Sequence, residues 1–263
     1  MKALVKGGGN AGLDLPDELS EISDDLRDYS QLWYGREKIG KTSLLAEFPD
    51  TLLLMCEPGA KALRVYKRDV RDWREFVKYV DLLEENPKRF KTIGIDTVDQ
   101  LAKMCDDYTN QKLAIQHVSD AEWGKAYSMR RDELAKQVSR LLKLGRGVVF
   151  TSHAFEKEIK ARNGTSYERI EPSMPKFARE VLEPMVDIWA YLAYDVDGNR
   201  TMDIRGNDQV AAGHRLQEHF TGIEAIPMGK SAKEAYENFV GAFNNKLPSK
   251  PQPTSKFRIP KGR

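Results

Sequence analysis

The chain has 263 residues, of which 40% are hydrophobic, 31% charged and 9% aromatic, with two cysteines and a net charge of +2. This length allows one large domain with a core that needs no disulfide bonds. Cys56 and Cys105 form no C-x-x-C pair and have no histidine cluster nearby, so we expect no zinc site. No segment approaches the roughly 20 continuous apolar residues of a membrane span, and residues 1–18 lack the apolar core of a secretory signal. We therefore expect a soluble, cytoplasmic protein with no membrane partner.

The charges are unevenly distributed along the chain. Residues 246–263 contain six basic residues and no acidic ones, whereas residues 14–28 contain seven carboxylates and one arginine. Without the basic end, 36 basic residues stand against 40 acidic ones. Bulk charge therefore does not require a nucleic-acid partner, and such a partner would have to bind a local patch or the basic end.

Composition divides the chain into three parts. We interpret residues 1–28, which are glycine-rich and then acidic, as a flexible N-terminal arm, and residues 29–247 as the core. Residues 248–263 are basic and proline-rich, which predicts a disordered tail. The tail offers either a sequence-independent contact to nucleic acid or a docking peptide for a partner protein.

Short apolar runs alternate with helical patterns through the core. The runs are Gln31–Gly35, 51–56, Thr92–Asp96, Gly147–Ser152 and 187–194. Continuous apolar strands separated by helices predict an α/β fold, with a mainly parallel sheet that helices cover on both faces. A last helix is predicted to begin after Ser231, because Ser231 and Glu234 have the spacing of a capping box.

The most informative segment follows the first run. It reads Gly35-Arg-Glu-Lys-Ile-Gly40-Lys41-Thr42 and fits the P-loop pattern G-x-x-x-x-G-K-S/T between a strand and a helix. In this pattern backbone N–H groups surround phosphate oxygens, the lysine reaches the β- and γ-phosphates, and the threonine hydroxyl ligates Mg²⁺. A glycine turn before an exposed lysine is the other interpretation, which the strand–loop–helix context disfavours. The predicted nucleotide-binding residues are Gly35, Arg36, Glu37, Lys38, Ile39, Gly40, Lys41, Thr42 and Ser43, with Thr42 also a metal ligand.

Two carboxylates end neighbouring runs. Asp96 closes Thr92–Asp96 and is the predicted second Mg²⁺ ligand, whereas we interpret Asp99 as a helix-opening residue favoured by the helix dipole. Glu57 follows the run 51–56, at the sheet edge where ligands of α/β proteins bind. It is our candidate to orient or deprotonate the attacking water, and a simple turn residue is the other interpretation.

The fourth run also ends in polar residues at this edge. Ser152 and His153 could sense the γ-phosphate by hydrogen bonding, although a single histidine is more often structural.

In chain order these segments resemble the core of RecA-like ATPases, in particular the short phage-encoded branch associated with single-strand annealing and recombination. The resemblance covers residues 28–245 and rests on WYGREKIGKTSLL, LLLMCEPGAKAL, KTIGIDTVDQL, EWGKAYSMRRDE and GVVFTSHAFEKE. It implies ATP and Mg²⁺ as cofactors, Glu57 as the water-activating catalytic residue, and His153 as the residue that couples the nucleotide to DNA-binding loops. It also implies a protein of phage-infected bacteria. The chain departs from the family pattern at residues 36–38, where many P-loops carry proline and glycine, and it shows no separate DNA-binding domain.

RecA-like proteins bind DNA through mobile loops inside a ring or filament of identical subunits. The matching segment here is 156–175, and its candidate contacts to single-stranded DNA are Lys157, Lys160, Arg162, Tyr167 and Arg169. Its glutamates leave the segment at only about +1, so a solvated hairpin is the other interpretation. The resemblance also implies a basic residue that reaches the γ-phosphate of the neighbouring subunit. Arg205 is our candidate for this role, and Arg215 is the competitor.

We therefore predict a DNA-stimulated ATPase that assembles on single-stranded DNA and promotes annealing or recombination. The alternatives are a RecA-fold helicase, loader or packaging motor, and an ATP-switched adaptor that binds a single-strand-binding or replication protein through the tail. A GTPase is disfavoured because the sequence lacks an N-K-x-D motif, and a small-molecule kinase because it lacks an arginine-rich lid.

Overall fold

The computed structural model of the protein describes residues 17–120, 124–160, 164 and 166–247. Most of the predicted arm and the whole predicted tail lie outside these residues. In chain order the elements are β1 (Gln31–Gly35), α1 (Lys41–Ala46), β2 (Thr51–Met55), β3 (Tyr66–Asp69), α2 (Trp73–Glu85), β4 (Thr92–Asp96), α3 (Val98–Leu113), α4 (Lys125–Leu142), β5 (Gly147–Ser152), β6 (Ala154–Lys160), β7 (Ser166–Pro172), α5 (Lys176–Leu182), β8 (Ile188–Tyr194), β9 (Arg200–Asp203), β10 (Gly213–His214), β11 (Ala225–Pro227) and α6 (Ala232–Phe243).

A nine-stranded sheet forms the centre of the molecule. Its order is β11-β9-β8-β1-β5-β4-β2-β3, with β10 paired to β8. Neighbours from β8 to β3 pair in parallel, whereas β9, β10 and β11 pair antiparallel. Strands β1, β2, β4 and β5 are buried along their whole length, which explains why they are continuous apolar runs in the sequence. The predicted α/β fold with a mainly parallel sheet is confirmed.

Helices cover both faces of this sheet. One core cluster joins the sheet to α2, α3, α4 and α5, through side chains such as Phe76, Leu101, Val138 and Phe177. The other joins it to α1 and α6, where Phe239 and Phe243 pack around Trp33 and its neighbours. Within the described residues, no helix has the length and apolar character that crossing a bilayer requires.

The parallel strands bring their carboxyl ends to one edge of the sheet. Met55 pairs with Asp96, and Asp96 pairs with Thr151 in the next strand. Strand β5 in turn pairs with β1, which leads into the loop before α1. The residues after β1, β2, β4 and β5 therefore meet at the same edge.

Strands β6 and β7 form a separate antiparallel hairpin directly after β5. Their pairing runs without interruption from Ala154 and Pro172 at the base to Lys160 and Ser166 at the far end. The described residues of the segment 156–175 thus form two paired strands and a short link to α5.

Candidate active site

The loop between β1 and α1 ends at a glycine that caps the helix. Gly40 is the N-cap of α1 and has a φ of 110°, a left-handed conformation that glycine adopts without strain. Arg36, Glu37 and Lys38 are exposed, whereas Ile39 is buried in the core. Gly40 has no side chain to cap α1, and the N–H groups of a first helical turn have no partner within the helix, as anion binding at a helix N-terminus requires.

Lys41 is buried beneath this loop, with 6% of its surface exposed. Its Nζ donates hydrogen bonds to the carbonyl oxygens of Gly35 at 2.8 Å and Arg36 at 3.0 Å. Burial lowers the pKa of Lys41, and nearby carboxylates act in the opposite direction. A phosphate offers this ammonium group stronger, charge-assisted hydrogen bonds than two carbonyls do.

Thr42 and Asp96, the two predicted metal ligands, are in direct contact. The Thr42 hydroxyl donates to Asp96 Oδ2 at 2.8 Å, and the Thr151 hydroxyl donates to Oδ1 at 2.5 Å. Asp96 is only 6% exposed, so these hydrogen bonds fix its orientation. Ser43 follows in the first turn of α1 and is half-buried. A hydroxyl and a carboxylate are the oxygen ligands that Mg²⁺ takes beside water and phosphate, so this pair fits the ion.

Glu57 has partners on both of its oxygens. The hydroxyl of Thr97 donates to Oε1 at 2.6 Å, and His153 Nε2 lies 3.2 Å from Oε2. The Glu57 side chain is 27% exposed and the His153 side chain 28%. Glu57 is therefore a carboxylate held at a partly open edge, accessible to water and fixed in direction, as a water-orienting group has to be.

His153 and Ser152 differ in their surroundings. His153 faces Glu57, and its Nδ1 is buried with no hydrogen-bond partner among the described residues. Ser152 is fully buried, and its hydroxyl donates to the backbone oxygen of His153 at 3.1 Å. Of these two polar residues, the structure brings only His153 into contact with the predicted catalytic carboxylate.

The predicted DNA contacts lie along the β6–β7 hairpin, except for Arg162, which is outside the described residues. Two of them surround the buried Glu171: Arg169 Nε at 3.4 Å and Lys157 Nζ at 4.0 Å. Glu171 also pairs with Arg179 of α5. Lys160 and Tyr167 lie towards the far end of the hairpin. Glu171 thus compensates part of the positive charge near the base of the hairpin.

Arg205 and Arg215, the two candidates to contact the γ-phosphate in a neighbouring subunit, lie away from the P-loop of their own chain. Arg205 follows β9 at the end opposite to the P-loop edge, is 70% exposed, and pairs with Glu224 at 3.2 Å. Arg215 Nη2 donates to the carbonyl oxygen of Pro184 at 2.9 Å. The structure thus brings neither arginine together with Lys41 of the same chain.

Several site residues were missed by the sequence analysis. Thr97 orients the carboxylate of Glu57, and Thr151 orients that of Asp96. Arg200 extends from β9 to the P-loop, where its Nη1 lies 3.0 Å from the point that a Cβ on Gly40 would occupy. Arg200 is held there by hydrogen bonds to the carbonyl oxygen of Gly229 at 3.0 and 3.3 Å. Nothing in the sequence marks these three residues, because the groups that they contact are distant from them along the chain.

The chain is similar to one known protein family over most of its length. A family model described as an AAA domain matches residues 27–216, which include the loop, both carboxylates and the hairpin. No curated protein matches the chain. The solved structures that match include a KaiC-like protein from the hyperthermophilic archaeon Pyrococcus horikoshii OT3, with 14% sequence identity and a TM-score of 0.45 over 79% of this chain and 88% of that one.

Proposed function

The chain belongs to the AAA-domain family of P-loop ATPases, and on that basis we propose that it hydrolyses ATP in response to single-stranded DNA, on which it assembles to promote annealing or recombination. The observation that carries the ATPase part is the grouping of buried Lys41, the Thr42–Asp96 pair and Glu57 at one sheet edge.

Each residue of this group has a role in phosphoryl transfer. The N–H groups of the loop and Lys41 hold the β- and γ-phosphates of ATP. Thr42 and Asp96 would hold Mg²⁺, which would supply positive charge next to the phosphate oxygens. Glu57, whose direction is fixed by Thr97 and His153, orients the attacking water and accepts its proton.

The DNA part of the proposal is supported by the position of the hairpin. β6 begins immediately after His153, so the hairpin starts next to a residue that contacts Glu57. Its far end carries Lys160 for the phosphate backbone and Tyr167 for stacking on bases. A ligand bound at this end could shift the hairpin and, through its base, the His153 side chain that contacts Glu57.

Binding to a labelled oligonucleotide tests the DNA part directly. Lys160→Glu is expected to weaken the affinity for single-stranded DNA about tenfold at low salt, because it replaces an attractive phosphate contact by a repulsive one. Lys176→Glu, an exposed lysine of α5, is the matched control. If both variants bound single-stranded DNA as tightly as the wild type, the hairpin would not be part of the DNA-binding surface.

We also propose a ring or filament in which Arg205 reaches the ATP of the next subunit and supplies charge that the P-loop alone lacks. Mixing two inactive chains tests this arrangement. Chains with Arg205→Ala and chains with Lys41→Ala are expected to regain turnover when mixed, because some interfaces then combine an intact Lys41 with an intact Arg205. Mixtures that stay inactive at every ratio contradict the role of Arg205.

A further inference from the structure

Two separate hydrogen bonds connect the base of the β6–β7 hairpin to the candidate active site. At His153, the residue that precedes β6 in the sequence, Nε2 lies 3.2 Å from Glu57 Oε2. At Ser173, the residue that follows β7 in the sequence, the hydroxyl donates a hydrogen bond to Asp99 Oδ1. The backbone N–H of Ser173 also donates to the carbonyl oxygen of His153 at 2.9 Å, so the two connections meet at the base of the hairpin.

Asp99 is a buried carboxylate that interacts electrostatically with Lys41. It lies in the first turn of α3, three residues after Asp96, and is only 5% exposed. Its charge acts on the ammonium group of Lys41, which is the group that a bound phosphate would engage. A change in the partners of Lys41 therefore changes the electrostatic potential at Asp99.

Each connection includes a residue with one buried polar atom that makes no hydrogen bond to the described residues. Asp99 Oδ2 and His153 Nδ1 have no hydrogen-bond partner among the residues that the structure describes. Buried polar atoms without partners are unfavourable, so a small rearrangement that satisfies either atom is favoured. A rotation at the base would displace the far end of the hairpin most, because its seven paired residues on each strand extend about 20 Å from the base.

We infer that Ser173 is a positioning residue that couples the hairpin to the nucleotide through Asp99, as a second connection beside His153. This inference rests on the ATP-binding part of the proposed function and not on DNA. When ATP engages Lys41, the Asp99–Ser173 contact changes and β7 moves with it. The hairpin is thus held at both of its strands, and its position depends on both.

Hydrogen–deuterium exchange of the full chain tests this coupling without DNA. The exchange of the β6 and β7 amides is compared with and without Mg²⁺–ATP, and nucleotide binding is measured separately with a fluorescent ATP analogue. The wild type is expected to show a nucleotide-induced difference in the hairpin. Ser173→Ala is expected to lose most of that difference while still binding the nucleotide, and Ser173→Thr, which keeps the hydroxyl, is expected to retain it. Ser166→Ala, at the exposed far end of β7, is the matched control.

The outcomes separate this inference from the proposed function. A nucleotide-induced difference as large in Ser173→Ala as in the wild type overturns the inference, and so does a wild-type chain that binds ATP with no change in the hairpin. If Ser173→Ala does not fold, Asp99→Ala takes its place. Where both fold, the double variant is expected to lose no more than either single one, because they remove the same contact. Retained coupling with no response to single-stranded DNA would contradict the proposed function alone.

Discussion

At the scale of single residues, Glu57 is the group that the proposed mechanism assigns to the activation of water. Glu57→Gln keeps the size of the side chain and an oxygen that Thr97 can bond, but removes the base. We expect kcat to fall by about 10²- to 10³-fold, with KM for ATP changed little, because the lost contribution is general-base catalysis.

Glu47→Gln, at the exposed end of α1, is the matched control for this measurement of steady-state ATPase kinetics. If Glu57→Gln kept the wild-type kcat, another residue would have to activate the water.

Asp203 is a second residue with a measurable consequence. Burial raises the pKa of Asp203 from 3.8 to about 6, so between these two values the folded chain holds a proton that the unfolded chain releases. The stability of the fold therefore falls as the pH rises through this window. Asp203→Asn is expected to stabilise the protein by up to about 3 kcal/mol at pH 8 and by about half of that at pH 5.

Urea unfolding at the two pH values checks this expectation. Asp107→Asn, an exposed carboxylate of α3, controls for the general effect of removing a negative charge. A gain of equal size at both pH values, or no gain, contradicts a raised pKa for Asp203.

At the scale of elements, the start of α6 is a test of local helix chemistry. The Ser231 hydroxyl accepts a hydrogen bond from the N–H of Glu234 at 3.0 Å, as the spacing in the sequence predicted. Ser231→Ala should cost about 1 kcal/mol of stability in chemical denaturation, and Ser231→Asp should keep most of it, since aspartate is also a good N-cap. If Ser231→Ala were as stable as the wild type, the cap would not stabilise α6.

The elements differ in how far the sequence predicts them. β1, β2, β4 and β5 were predicted as apolar runs because both faces of these strands are buried, and β8 was predicted because its first three residues are buried as well. β3 lies at the sheet edge with the sequence Tyr-Lys-Arg-Asp, and its mostly exposed residues give no apolar pattern. For β6 and β7 the notable signal was charge, and the pairing register that makes them a hairpin is not visible in composition.

The site shows the same limit on prediction at the scale of the whole molecule. The P-loop, Asp96 and Glu57 could be predicted because each is fixed by a local pattern at the end of a strand. The hydroxyls of Thr97, Thr151 and Ser173 could not, because their partners lie 40 to 74 residues away in sequence and only the assembled sheet brings them together. Arg200 is a similar case, since β9 must fold beside β8 before it reaches the P-loop.

The central claim is that one P-loop site hydrolyses ATP and that single-stranded DNA controls its rate. Steady-state ATP hydrolysis of the wild type, with and without single-stranded DNA and with Lys41→Ala as the blank, tests it most directly. We expect turnover well above the blank, and a rise of at least about fivefold when DNA is added, as a coupling of about 1 kcal/mol gives. Equal turnover in the wild type and in Lys41→Ala would contradict the ATPase, and turnover that does not respond to DNA would contradict its coupling to single-stranded DNA.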